Sequence, residues 1–353
     1  MQARAVIGAN FGDEGKGLLT DYLCRTGGGV VVRFNGGAQA GHTVVTPEGL
    51  SHVFGHFGSG TLYGVPTFLS QFFVCNPVLF FREREHLHSM GVTAEVFAHP
   101  DCLVTTFADM IINQRKERKR ADKAHGSCGV GVHETMQRSA VSELKITMSD
   151  LWNRSTALPG KIAEICDRYA KFRTGQSIDE PGMVEMFLKM CAAFADAVRP
   201  AGIGQCTDPI FEGAQGLLLD QDRTEFHPHV THSSTGMKNV RALCAQAGIA
   251  EVETYYVSRT YLTRHGAGPL PGEDPAMSFE DMTNIPHPWQ GVLRFAPLDA
   301  GLRDRCAKDC GGDYKLVLTH CDQLEPNQLA ELYSYGPTRA NVRGWKDHAA
   351  KAN

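Results

Sequence analysis

No run of eighteen apolar residues occurs in this 353-residue chain, and its opening, MQARAVIGANF, goes straight into a strand-like pattern. Neither a membrane-spanning helix nor a secretory leader is expected. Positive charge is not in excess: 35 Lys and Arg stand against 39 Asp and Glu, a net charge of −4. That balance gives no basic field for nucleic acid or for an anionic membrane. The 11 cysteines are odd in number and form no CxxC pair, Cys306 and Cys310 coming nearest. A disulfide framework is thereby excluded, and reduced thiols in a cytoplasmic compartment are expected. Internal repeats and low-complexity linkers are also missing, and the Gly/Pro-rich stretch 266–275 (GAGPLPGEDP) reads as a structured loop. The expectation is one domain over 1–353.

What is present is a soluble, globular composition, 42% hydrophobic and 21% charged. Strand-like runs at 5–9, 29–34, 209–212, 253–262 and 315–319 alternate with helix-like stretches such as 16–24 and 181–198. This alternation predicts an α/β fold around a mainly parallel sheet. The first strand runs into NFGDEGKGLL (10–19), where Gly12, Gly15 and Gly17 surround Lys16. Backbone N–H groups converging at a helix N-terminus bind phosphate, and glycine lets them come close. The spacing is not a Walker loop, because Asn10 stands where its first glycine would be and Gly17 where its Ser or Thr would hold magnesium. Asp13 is a candidate either for that Mg²⁺ ligand or for a base toward a substrate beside the phosphate. After the second strand comes RFNGGAQAGHTV (33–44), which places His42 in another glycine-rich loop, positioned to donate a proton or hydrogen bond.

The two loops, GDEGKG and NGGAQAGHT, resemble the pair that opens adenylosuccinate synthetases, and six further motifs follow in the same order. They are GSCG (126–129), FEGAQGLLLD (211–220) with HPHVTHSS (227–234), TRHGAGPLP (263–271), LTHCDQL (318–324) and SYGP (334–337). The resemblance implies that family's fold, a mainly parallel sheet distantly like P-loop nucleotide-binding proteins. It also implies a ligase joining L-aspartate to a 6-oxopurine nucleotide through a 6-phosphoryl intermediate, with Mg²⁺ and GTP or ATP, and a homodimer. By resemblance Asp13 takes the N1 proton and touches Mg²⁺ together with Gly41, and His42 donates to the transferring phosphoryl group. Lys16, Gly12, Glu14, Gly15, Gly17, Gly41 and Thr43 hold the triphosphate, and Asp322, Ser334, Gly336 and Pro337 its base. Gln215 and Gln39 meet the purine. Ser127, Cys128 and Thr231 meet the 5′-phosphate, which Arg138 would reach across the dimer. Gly291, Val292, Arg294 and Arg264 are assigned to aspartate.

Several positions depart from the family pattern. Its aspartate loop is arginine-rich, whereas WQGVLRFAPLD (289–299) has only Arg294, and a dicarboxylate normally wants bidentate guanidinium partners. Gln39 replaces an asparagine, Cys128 a threonine and His320 a lysine beside the donor's base. The chain is as short as archaeal and viral relatives, some of which use dGMP. Retention of Asp13 points to IMP, with dGMP or GMP as the alternative. A nucleotide-binding regulator that has lost the reaction is the third reading, and the survival of both Asp13 and His42 argues against it. The basic run RKERKR (115–120) reads as a solvated helix face. His227, His229 and His232, with no cysteine nearby, do not read as a zinc site.

Overall fold

A computed structural model describes residues 2–25, 29–120, 127–170, 182–281 and 291–349. The strand Ala3–Gly8 lies near the middle of a ten-stranded sheet. On one side of it follow Pro209–Gly216, Val30–Arg33, Thr67–Leu69, Val96–Ala98 and Arg199–Pro200; on the other follow Val252–Arg259, Lys315–Thr319, Leu332–Ser334 and Val342–Gly344. Every pairing is parallel except the last, between Leu332–Ser334 and Val342–Gly344. The central strands are near-continuous apolar runs because both faces are covered, as parallel sheets require. Val6, Val31, Ile210 and Val257 pack under the helix Lys16–Cys24, while Ile7, Val32, Phe211 and Tyr256 meet the helices Met237–Ala247 and Leu302–Cys310. All eleven cysteines are free thiols. Among the described residues no helix is long and apolar enough to cross a membrane.

The expected α/β architecture with its mainly parallel sheet is found, and the helix over 16–24 has those bounds. One element differs. The run expected as a single strand over 253–262 is two: Val252–Arg259 in the main sheet, and Tyr261–Arg264 paired antiparallel with Arg294–Pro297. Thr260 makes the break, its N–H donating to Thr319 O at 3.1 Å and its hydroxyl to His320 O at 3.3 Å. The helix expected over 181–198 runs Met183–Ala197, and Pro181 lies outside the described residues.

The parallel order places the C-terminal ends of Ala3–Gly8, Pro209–Gly216, Val30–Arg33 and Lys315–Thr319 on one edge of the sheet. Loops at that edge carry the motifs, as expected where an open α/β sheet holds its ligands.

Candidate active site

The loop after Ala3–Gly8 is turned by left-handed backbone at Gly12 (φ 96°), Asp13 (φ 61°) and Gly15 (φ 93°). Aspartate is among the few side chains that tolerate that region. Glu14 does not face the loop's mouth. It is 1% exposed, and one carboxylate oxygen accepts from the N–H groups of Asn10 and Gly12, each at 2.9 Å. The other lies 2.6 Å from Lys16 Nζ. A Cβ on Gly8 would stand 2.4 Å from Glu14 Oε2 and 2.8 Å from Lys16 Nζ, so glycine is required where the strand passes this buried pair. Glu14 therefore braces the loop, and Asp13 alone keeps a partly exposed carboxylate, 3.6 Å from His265 Nε2. Arg259 fixes the Asp13 backbone, donating from Nε to its carbonyl at 2.6 Å while pairing with Asp281 at 2.6 Å.

His42 begins the hairpin His42–Val45/Ser51–Phe54 and packs on the start of the helix Lys16–Cys24. A Cβ on Gly17 would lie 3.1 Å from His42 Cβ and 3.0 Å from Thr43 O, so this glycine sets the approach. His42 Nδ1 is 2.9 Å from Glu212 Oε1. Glu212 is fully buried on Pro209–Gly216, where the N–H of Ser59 donates to it at 3.2 Å, the Ser59 hydroxyl also donates, and Arg33 stands 3.8 Å away. Burial alone would raise its carboxyl. The His42 charge and hydrogen bond, then Arg33 and Ser59, overcome that and hold it at about 2. Burial pushes His42 below the ordinary imidazole value, with Glu212 opposing. His42 Nε2 is buried and has no hydrogen-bond partner among the described residues.

A second group of expected residues surrounds the turn at Gly36. A Cβ on Gly36 would meet Gln39 Nε2 at 3.2 Å and Gln215 Oε1 at 3.3 Å. Gln215 itself has left-handed backbone, φ 59°, at the strand end. The Cys128 thiol donates to Gln39 O at 3.5 Å, and Ser127 Oγ to Asn113 Oδ1 at 3.2 Å; Gly126 lies outside the described residues. Thr231 is half-buried, its N–H on Leu219 O at 2.8 Å. At the loops expected to hold the donor's base, Ser334 Oγ donates to Gly336 O at 2.7 Å beside Pro337, and Asp322 is exposed. His320 turns inward: Nδ1 is 2.9 Å from Thr319 Oγ1, and burial, aided by Arg259, lowers its pKa to about 3.

Three expected arginines are engaged by internal partners. Arg138 is buried, its Nε 3.0 Å from both Asp109 oxygens, with Leu144 O and Val104 O as further acceptors. Four internal acceptors thus engage this guanidinium within its own chain. Arg264 is likewise buried, donating to Pro269 O and His229 O at 2.6 Å, against the rings of Phe11 and Phe226. Arg294 holds Glu273 at 2.6 Å and Gly266 O at 2.7 Å. These two stand directly opposite across paired strands, and burial first, then Arg294, lowers Arg264 to about 10. Gly291 and Val292 are exposed at the edge of this ribbon; Trp289 and Gln290 lie outside the described residues. The basic run 115–120 closes the helix Phe107–Arg120, where Lys116 meets Glu134 and Arg120 meets Glu117.

Glu212, Ser59 and Arg33, the residues that set the state of His42, were not singled out from sequence, nor were Arg259 and His265 beside Asp13. Glu212 lies within the quoted FEGAQG, and a buried acid inside a parallel strand is the signal that marks it.

The adenylosuccinate synthetase family profile matches residues 5–326. Adenylosuccinate synthetase of Alkalilimnicola ehrlichii is 32% identical over 284 residues, 76% of this chain and 64% of that protein. That of Clostridium botulinum (strain Loch Maree) is 32% identical over 300 residues, 77% of this chain and 66% of that protein. The alignments thus span about two thirds of those relatives. Among solved structures, fully ligated adenylosuccinate synthetase from Plasmodium falciparum superposes with a TM-score of 0.75 at 21% identity, covering 92% of this chain and 79% of that one. Cyanophage S-2L succinoaminodeoxyadenylate synthetase, bound to dGMP and dATP as an energy donor, gives a TM-score of 0.63 at 16% identity, covering 97% and 95%.

Proposed function

The chain belongs to the adenylosuccinate synthetase family, and from that premise we propose that it joins L-aspartate to C6 of a 6-oxopurine nucleoside monophosphate, IMP in the first place. A nucleoside triphosphate, GTP or ATP, drives the reaction, and one domain carries it in a cytoplasmic homodimer. The observation that carries this reading is the buried Glu212–His42 pair beside the phosphate loop, with Nε2 unpartnered, at the same loop–helix junction as Asp13.

Asp13 accepts the N1 proton, and O6 of the purine attacks the γ-phosphorus as the nucleoside diphosphate leaves. The amine of aspartate then attacks C6, and inorganic phosphate departs. Glu212 accepts the Nδ1 proton of His42, so Nε2 donates only when the ring carries its second proton. The negative charge of the arriving phosphates favours that proton, placing a charged donor on the transferring group. Lys16 and the amides of Gly15 and Gly17 hold the phosphates, Gly12 and Glu14 shape the loop around them, and Gly41 and Thr43 border them. Gln215 and Gln39 face the purine. Mg²⁺ suits these residues: Asp13 supplies one accessible carboxylate and Gly41 an exposed backbone position, the small protein share this ion takes when phosphates complete its shell. When bound it neutralises phosphate charge. Aspartate enters beside the opposed Arg264–Arg294 pair, whose mutual repulsion a carboxylate relieves.

The second reading, dGMP or GMP as acceptor, is favoured by the near-complete mutual coverage with the cyanophage enzyme. One experiment decides between them. Purified protein is offered IMP, GMP and dGMP separately, with aspartate, Mg²⁺ and either ATP or GTP, and the N6-succinyl product is followed. IMP is expected to turn over fastest; turnover of dGMP alone selects the second reading, and silence in all six mixtures overturns the ligase.

A further inference from the structure

Arg259 ends the strand Val252–Arg259 at the edge of the sheet that carries the site loops, and it is 2% exposed. Its donors leave in three directions. Nε meets Asp13 O and Nη2 meets Asp281 Oδ2, each at 2.6 Å, while Nη1 donates to the Tyr261 hydroxyl at 3.1 Å. A guanidinium is a rigid planar fork, so these three bonds fix one another's directions. The Asp13 carbonyl belongs to a left-handed residue, φ 61°, whose carboxylate is the proposed base.

The Asp281 end belongs to a segment anchored at three consecutive residues. Phe279 stacks on the Tyr261 ring with centroids 4.0 Å apart and planes at 10°. Glu280 O accepts from Gln323 Nε2 at 2.7 Å, and the Tyr261 hydroxyl donates to Oε1 of the same glutamine. Asp281 holds Arg259. Gln323 follows Asp322, which is expected beside the donor's base. The Phe295 ring stands edge-on to Tyr261 and Phe279, at 5.9 and 5.6 Å, and Phe295 follows Arg294 on the ribbon where aspartate is proposed to enter. One short segment thus touches the neighbours of all three ligand positions, and Arg259 is its link to Asp13.

Building on the ligase reading, we propose that Arg259 is a positioning residue that couples the aspartate subsite to Asp13 through the segment Phe279–Asp281. The reaction needs both ends set together. Asp13 must stay on N1 while O6 is phosphorylated, and the amine must then reach C6 of the same ring. A displacement of the segment pulls on Asp281, and a buried guanidinium turns with its partner because leaving a donor unmet is costly. That turn moves the Asp13 carbonyl. An aspartate that settles the ribbon therefore settles the base. An acceptor bound at Asp13 tightens aspartate by the same factor, since coupling between two ligands is reciprocal.

The test uses the full chain with whichever of IMP, GMP or dGMP the wild type turns over. Arg259→Lys, Arg259→Gln, Asp281→Asn and the double variant with Arg259→Gln and Asp281→Asn are compared, with circular dichroism to confirm folding. Aspartate is titrated calorimetrically with and without the acceptor, triphosphate being withheld; kcat and aspartate KM are read with it present. In the wild type the acceptor is expected to tighten aspartate about tenfold, a usual size for such coupling. Arg259→Gln should abolish the tightening, raise aspartate KM by that factor, and lower kcat roughly tenfold to a hundredfold, as a misplaced base does. Arg259→Lys keeps the charge without the fork and should not rescue. Asp281→Asn, which leaves Arg259 in place, should lose the tightening too, and the double variant should bind aspartate no more weakly than Arg259→Gln alone. No tightening in the wild type, tightening that persists in Arg259→Gln and Asp281→Asn, or full rescue by lysine overturns the inference and leaves the ligase standing. A wild type that turns over none of the three acceptors overturns both.

Discussion

At the scale of single residues, the proposed chemistry rests on keeping two acids in different states of exposure. Asp13 is open at the loop, whereas Glu212 is sealed behind His42. Asp13→Asn keeps the shape but accepts no proton, so turnover should fall by at least about a hundredfold with nucleotide affinity nearly unchanged, the range expected for a lost general base. Isothermal titration beside a succinylation assay checks it. Glu212→Gln acts through His42, since a neutral amide no longer favours the imidazolium. The kcat should drop roughly a hundredfold, and the alkaline limb of its pH profile should move to lower pH; an unmoved limb would mean that Glu212 only fills space. Asp13 and His42 were legible in the sequence because each lies in a contiguous glycine-rich motif. Glu212 was not, for its partners Ser59 and Arg33 come from distant segments. Only the placement of Pro209–Gly216 between Ala3–Gly8 and Val30–Arg33 brings them together.

At the scale of elements, strand ends decide the site. Gly8 closes the first strand where Glu14 and Lys16 cross beneath it, and a methyl there would also stand 2.6 Å from Gln215 O. Gly8→Ala should therefore cost about 1–3 kcal/mol, as overpacking of a tight interior does. It should also weaken triphosphate binding, because the Glu14–Lys16 pair must move; urea unfolding and nucleotide titration read the two effects. The strands that build this edge were visible as apolar runs, and the helix 16–24 followed from the glycines before it. The division of 253–262 was not visible. Its aromatic and β-branched residues continue across the break, and the turn is made by Thr260 bonding to the neighbouring strand end at Thr319 and His320. The internal partners of the arginines were not legible for a related reason. Motif spacing locates a guanidinium along the chain, but whether it meets a ligand or a carbonyl depends on packing, as Arg138 and Arg264 show.

At the scale of the whole molecule, buried acids tie stability to pH in opposing directions. Glu83, on the helix Pro77–Ser89, accepts from the N–H groups of Gly55 at 2.9 Å and His56 at 2.7 Å, anchoring the backbone just after the His42 hairpin. Burial would raise it, but bonds from His52 and His56 bring it from 4.5 to about 2. Glu212 is lowered to the same value, whereas burial of Asp21 raises it from 3.8 to about 6 against the pull of Arg339. For the two glutamates, the unfolded chain takes up protons first as pH falls through 4.5, so stability present above that value is lost toward pH 2. For Asp21 the folded chain binds the proton first, so stability is gained as pH falls from about 6 toward 3.8. A tenfold change in proton affinity is worth about 1.4 kcal/mol, so each acid contributes on the order of 3 kcal/mol. The melting temperature should thus rise by a few degrees between pH 7 and 5, then fall steeply below 4.5. Asp21→Asn should remove the rise and leave the fall, and Glu83→Gln should lower Tm at neutral pH and flatten the fall. A melting curve that declines steadily from pH 7 downward, the same in both variants, would show that these acids do not govern the fold.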